Sequence, residues 1–117
     1  MAAPNIVEVS QINGKTAVQQ VTDTATAIIT NAAASDQVYK VNSLYVSNVD
    51  GTDNAEINVD FFRGSTPYHI AKTLVVPADA TIDVLSNAIY LEEGDALRLT
   101  ANANSDLEAV ASYEEIS

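Results

Sequence analysis

A two-residue period is the strongest constraint on this chain. In Leu97-Arg98-Leu99-Thr100-Ala101-Asn102 apolar and polar residues alternate without a break. A strand satisfies that pattern with one dry and one wet face, and a helix does not. Upstream, Ile89 and Leu91 keep the same period, and Glu93-Gly94-Asp95 lies between the two runs. Glycine reaches positive φ cheaply and aspartate tolerates turn geometry. The stretch Ile89–Ala103 therefore reads as a β-hairpin with its register built in.

The same signal recurs along the chain. Thr16–Asn31 is rich in Thr, Val and Ala and reads as two short strands parted by Thr22-Asp23-Thr24. Val38–Val49 is the longest candidate, and its apolar phase slips at Asn42-Ser43, the mark of a bulge. Ala55, Ile57, Val59 and Phe61 alternate with polar neighbours, then Arg63-Gly64-Ser65-Thr66-Pro67 reverses the chain. Tyr68–Val76 ends at Pro77, which lacks a donor, and Thr81–Leu85 and Leu107–Tyr113 supply two more runs. About eight short strands with turn signals between them, and no convincing helix, predict a single antiparallel β-sandwich, jelly-roll or immunoglobulin-like. The expected division is an extended N-terminal arm over 1–15 and an all-β sandwich domain over 16–117. In the arm, Ile6, Val7, Val9 and Ile12 form a short apolar series suited to adding to a neighbouring subunit.

At 117 residues and 47% apolar, the chain has the length and the material for one proper core. It has no cysteine, which excludes disulfides and thiolate metal sites. Charge is distributed unevenly. Residues 1–49 carry Glu8, Asp23 and Asp36 against Lys15 and Lys40, a net of −1. Residues 50–117 carry thirteen acids against Arg63, Lys72 and Arg98, a net of −10. Phosphate backbones are bound by neutralising Lys and Arg, so direct nucleic-acid binding is disfavoured. No run approaches the ~18 apolar residues of a membrane span. The Met-Ala-Ala-Pro-Asn start lacks the basic and apolar regions of a secretory signal, which leads to an expectation of synthesis and assembly in the cytoplasm.

Catalytic chemistry finds little to stand on. The one histidine, His69, sits in a strand with no nucleophile elbow nearby, and reads as a surface or packing residue. Glu92-Glu93 and Glu114-Glu115 are adjacent acids, which point to opposite faces of a strand and read as solvated surface. Asp50-Gly51-Thr52-Asp53-Asn54 is the best cation loop, but it does not match the EF-hand ligand pattern and reads as a turn. Neither cofactor nor metal is expected. Five tyrosines are spread over different strands, and a sugar-binding platform would need two or three of them on one surface.

Three stretches carry a resemblance: Tyr39–Gly51, Tyr68–Thr73 with Val76–Thr81, and Ile89–Asp95 through Ser112–Ile116. Their order is similar to that of small structural proteins of tailed bacteriophages, especially marine phages that infect cyanobacteria. The resemblance implies a non-enzymatic virion protein located on the capsid surface, a decoration or cement protein that stabilises the shell. Its implied partners are the major capsid protein and further copies of itself in a homo-oligomer, a trimer. A neck or tail component, or a carbohydrate- or receptor-binding sandwich, is the alternative. In this scheme the arm and the more neutral first half face the capsid. The acidic tip, with Glu92, Glu93 and Asp95, faces solvent.

Overall fold

The computed structural model describes residues 9–117, and every regular element among them is a strand. They are β1 (Ile12–Val21), β2 (Thr26–Thr30), β3 (Val38–Asn48), β4 (Ala55–Arg63), β5 (Thr66–Val76), β6 (Thr81–Asp83), β7 (Ile89–Leu91), β8 (Ala96–Ala101) and β9 (Leu107–Ile116). One sheet runs β1-β9-β3, with β6 and β7 both paired to β3; the other runs β2-β8-β4-β5. All pairings are antiparallel. With β6 and β7 counted as one interrupted strand, this is a jelly roll rather than an immunoglobulin order.

Because the chain keeps crossing between sheets, the expected Ile89–Ala103 hairpin is not one. β7 pairs with β3, whereas β8 pairs with β2 and β4 in the opposite sheet. A tight turn does form, closed by the Asp95 N–H donating to the Glu92 carbonyl at 3.0 Å. It arches over the end of the sandwich instead of returning within one sheet. The physical reason is burial: the arch drives Leu91 and Leu97 into the core from opposite sides, and both are fully buried. Alternation reads the same for either geometry. Among the described residues, the one strand pair joined as a tight hairpin is β4–β5, whose Gly64 and Ser65 both take left-handed φ, 59° and 63°. Positive φ at both central residues matches the twist of the flanking strands. The reversal is thus two residues long, and Thr66 and Pro67 belong to β5.

The core is aliphatic, with Leu44, Ile57, Leu97, Leu99 and Leu107 all fully buried between the sheets. On β3 the register with β9 shifts between Val41 and Ser43, the expected bulge. It keeps both Val41 and Leu44 inward, where each is fully buried. At the N-terminus the arm boundary needs correction. Ile12, Asn13, Gly14 and Lys15 pair with Ile116, Glu115, Glu114 and Tyr113, so the sandwich begins at Ile12. β9 runs to Ile116, and its outer backbone groups need those partners. Ile6 and Val7 lie outside the described residues.

Candidate interaction surfaces

The Glu92–Asp95 turn is held from three directions. Asn31, at the end of β2, is fully buried and donates from its amide to the Leu91 carbonyl at 3.0 Å and the Gln37 carbonyl at 2.9 Å. Its backbone N–H reaches the Asp95 carbonyl at 2.9 Å, and its own carbonyl accepts from the Gly94 N–H at 2.8 Å. Arg63, at the end of β4, donates from Nε to Asp95 Oδ1 at 2.9 Å and from Nη2 to Oδ2 at 2.6 Å. The same Nη2 reaches Glu92 Oε2 at 2.7 Å, and the Glu92 N–H completes the set by donating to Asp95 Oδ2 at 2.8 Å.

These contacts correct one expectation. Asp95 is only 3% exposed and is an internal anchor, not part of a solvent-facing tip. Glu92 is exposed, and Glu93 is half-buried, accepting from the Asp36 N–H at 3.0 Å. Burial pushes the Asp95 carboxyl up, but the Arg63 guanidinium and the Glu92 N–H outweigh it and hold the group below its ordinary value. Arg63 is correspondingly raised, chiefly by its hydrogen bonds to Asp95. Sequence reading missed this anchor because Arg63 and Asp95 are 32 residues apart and meet only through the β4–β8 pairing, whose register sets Phe62 against Ala96.

A second ion pair lies on β8 and β4. Arg98 donates from Nε to Asp60 Oδ1 at 2.9 Å, and its guanidinium stacks 3.9 Å from the centre of the Phe62 ring. Asp60 is buried by this arrangement. His69 is exposed on β5, opposite Asp60 in register. Among the described residues, no group of three or more His, Asp or Glu side chains is placed to hold a metal ion.

The tyrosines divide between core and surface. Tyr39 and Tyr113 pack with ring centres 5.6 Å apart. Burial and the nearby Glu115 carboxylate raise the Tyr39 phenol above its usual range. Tyr45, Tyr68 and Tyr90 are exposed, but Tyr68 sits on β5 of one sheet while Tyr45 and Tyr90 sit on β3 and β7 of the other.

What the surface does offer is apolar side chains along strands. Register places Val18 of β1, Val110 of β9 and Tyr45 of β3 side by side, exposed by 74%, 42% and 46%. Tyr68, Ile70, Leu74 and Val75 are exposed along β5. Of the expected interface residues, Ile12 opens β1 and is exposed, and Val9 is half-buried just ahead of it.

Nor do the two halves of the chain form two faces. β8 lies between β2 and β4, and β9, with Glu108, Glu114 and Glu115, lies between β1 and β3. Acidity instead follows position in the fold. The loops at 22–25, 49–54, 77–80 and 102–106 meet at one end, linked by bonds such as Asp23 N–H to Asn104 Oδ1 and Val49 N–H to the Asp106 carbonyl. They bring together Asp23, Asp50, Asp53, Asp79 and Asp106 with no Lys or Arg among them. β1, β2 and β5, all edge strands, carry no acid at all.

No family model matches the sequence, and no curated protein does. Among solved structures, the chain is similar to a subunit of Bacillus endospore appendages, described as disulfide-linked pili. The TM-score is 0.56 at 14% identity, over 98% of this chain and 95% of that one. Two structures of a pentameric capsid protein from metagenomic phage sequences align at TM-scores of 0.46 and 0.45, with 21% and 19% identity. Each covers 85% of this chain, which spans only 60% and 59% of theirs. At 14% identity the likeness to the appendage subunit is one of fold.

Proposed function

We propose that this protein is a non-enzymatic structural subunit of a bacteriophage particle. In this reading it is a decoration or cement protein on the outer capsid surface, of the kind found in marine cyanophage-like particles. One observation carries it beyond the sequence resemblance. The exposed apolar residues lie along strand edges and outer sheet faces, as in Val18–Val110–Tyr45 and along β5, rather than in a cleft. The buried charges are committed to internal pairs, Asp95 to Arg63 and Asp60 to Arg98. Such a surface is suited to packing against other subunits.

The mechanism is linkage. A protein that binds the assembled shell and not its dissociated parts shifts the equilibrium toward the shell. The partners would be the major capsid protein and further copies of this chain, with a trimer the oligomer expected on the assembled shell. The N-terminal segment with Ile6, Val7, Val9 and Ile12 would lie against the capsid. Glu92, Glu93 and the five-aspartate end would face solvent.

Purified chain mixed with bare capsids should co-sediment with them and raise their thermal disruption temperature. A variant lacking residues 2–9, which leaves the β1–β9 pairing whole, should lose occupancy. Unchanged occupancy would remove the arm from the reading, and no binding to shells at all would overturn the cement role. Density at a neck or tail in a particle reconstruction would relocate the protein, and saturable glycan binding would support the receptor-binding alternative.

A further inference from the structure

The sandwich has two lateral sides, and their edges are built differently. β5 is blunted. Its pairing with β4 shifts register twice, Thr73 takes a left-handed φ of 54°, Pro67 lacks a donor and Lys72 projects at the second shift. Bulges, proline and lysine are the devices that stop an edge from pairing with another chain. β2 is five residues long and has its own register shift. The far edge of the other sheet is broken into β6 and β7, three residues each.

β1 has neither bulge nor proline, and a single lysine. It pairs with β9 in unbroken register over all ten residues, from Ile12↔Ile116 to Val21↔Leu107. It contains no acid, and its one cation, Lys15, is half exposed and paired with Glu115 of the neighbouring β9 at 3.4 Å, which offsets its charge. No hydrogen bond among the described residues engages its outer backbone edge. In a chain of net charge −11, an acid-free edge is where two copies approach with least repulsion.

We infer that β1 is a self-association edge, on which a second copy of this chain adds its own β1 in antiparallel orientation about a two-fold axis. The occupant follows from matching. An unbroken ten-residue edge needs an equally long, unbulged partner, and the other edges of the fold are short, bulged or interrupted. A two-fold contact uses one patch on both copies and is self-complementary. With the axis at Ala17, Val18 lies beside Thr16 of the second copy on the outer face, and Lys15 lies opposite Gln19. No like charges meet. The apolar row Tyr45–Val110–Val18 then reaches the junction from both sides. This contact needs only a second copy, not a shell, and it differs from the heterologous contact that a trimeric ring would use.

Sedimentation of the full chain over a wide concentration series tests it. The mass should rise toward twice the 12.4 kDa of one chain. Val18→Lys, at a mostly exposed position, should weaken dimerisation by about tenfold or more by setting charges beside the axis. Val75→Lys, on the blunted β5 edge, should leave it unchanged. Hydrogen exchange on the unmodified chain gives an independent readout: protection in residues 12–21 should grow with concentration. A monomer throughout would overturn the inference. So would a trimer or pentamer, which would leave the ring-forming decoration protein standing. A dimer broken by Val75→Lys and not by Val18→Lys, or concentration-dependent protection in β5 instead of β1, would place the contact on the wrong edge.

Discussion

Replacing Asp95 by alanine should cost this fold about 3 kcal/mol. The carboxylate accepts two bonds from the Arg63 guanidinium and one from the Glu92 N–H, at 2.6 to 2.9 Å. Hydrogen bonds to charged groups contribute about 1.5–3 kcal/mol, but Arg63 is half exposed and recovers water when released, which holds its share near 2. The Glu92 N–H, left without its acceptor in a tight turn, adds about 1 kcal/mol. Arg63→Ala should cost a similar 2–3 kcal/mol, because it strands a buried charge. The measurement is urea denaturation of both single variants and the double variant. The coupling energy from that cycle should be about 2 kcal/mol. An exposed pair would give about 0.2–1 kcal/mol, and a coupling in that range would refute the anchor. The pH dependence has a defined sign. The folded carboxyl lies below its ordinary value of 3.8, so its stabilisation is complete above that value. It is lost as pH falls through the folded value, and Asp95→Asn should remove this part of the acid sensitivity.

Asn31→Ala should lower stability by about 2–3 kcal/mol in a thermal or urea melt, since it strands the Leu91 and Gln37 carbonyls and the Ser35 hydroxyl at a fully buried position. Gly94→Ala should cost about 1 kcal/mol or more, because its φ of 88° suits only glycine, although nothing lies within 4 Å of an added Cβ. Gly14→Ala, equally uncrowded but without a positive φ, should be neutral or mildly stabilising, which separates backbone conformation from space. Leu97→Ala should cost about 2–5 kcal/mol by leaving a cavity between the sheets, whereas an alanine at the exposed Val18 should change monomer stability by less than about 0.5 kcal/mol.

Much of this architecture is present in local sequence. Two-residue alternation identifies the strands and their inward residues, and the phase slip before Leu44 marks the β3 bulge, because burial on one face is a local pattern of side-chain types. Local pattern also places the turns at 22–24, 50–54 and 93–95. It does not name partners. Ile89–Leu91 and Ala96–Ala101 have the same alternation whether they pair with each other or join opposite sheets. Only the closing of a jelly roll, with β3 already flanked by β9, sends them apart. Asp95 shows the same limit in one residue. Beside Glu92 and Glu93 it reads as one more surface acid, and it is buried because Arg63 arrives from the end of β4. Charge follows the same rule. Counting acids by halves of the chain predicts an acidic face, but β9 is threaded between β1 and β3, and the acids gather in loops and central strands. The sequence by itself determined where the strands and turns lie and which apolar residues of the central strands face inward. The tertiary structure decided which strands are edges, because an edge is defined by the absence of a neighbour far away in sequence.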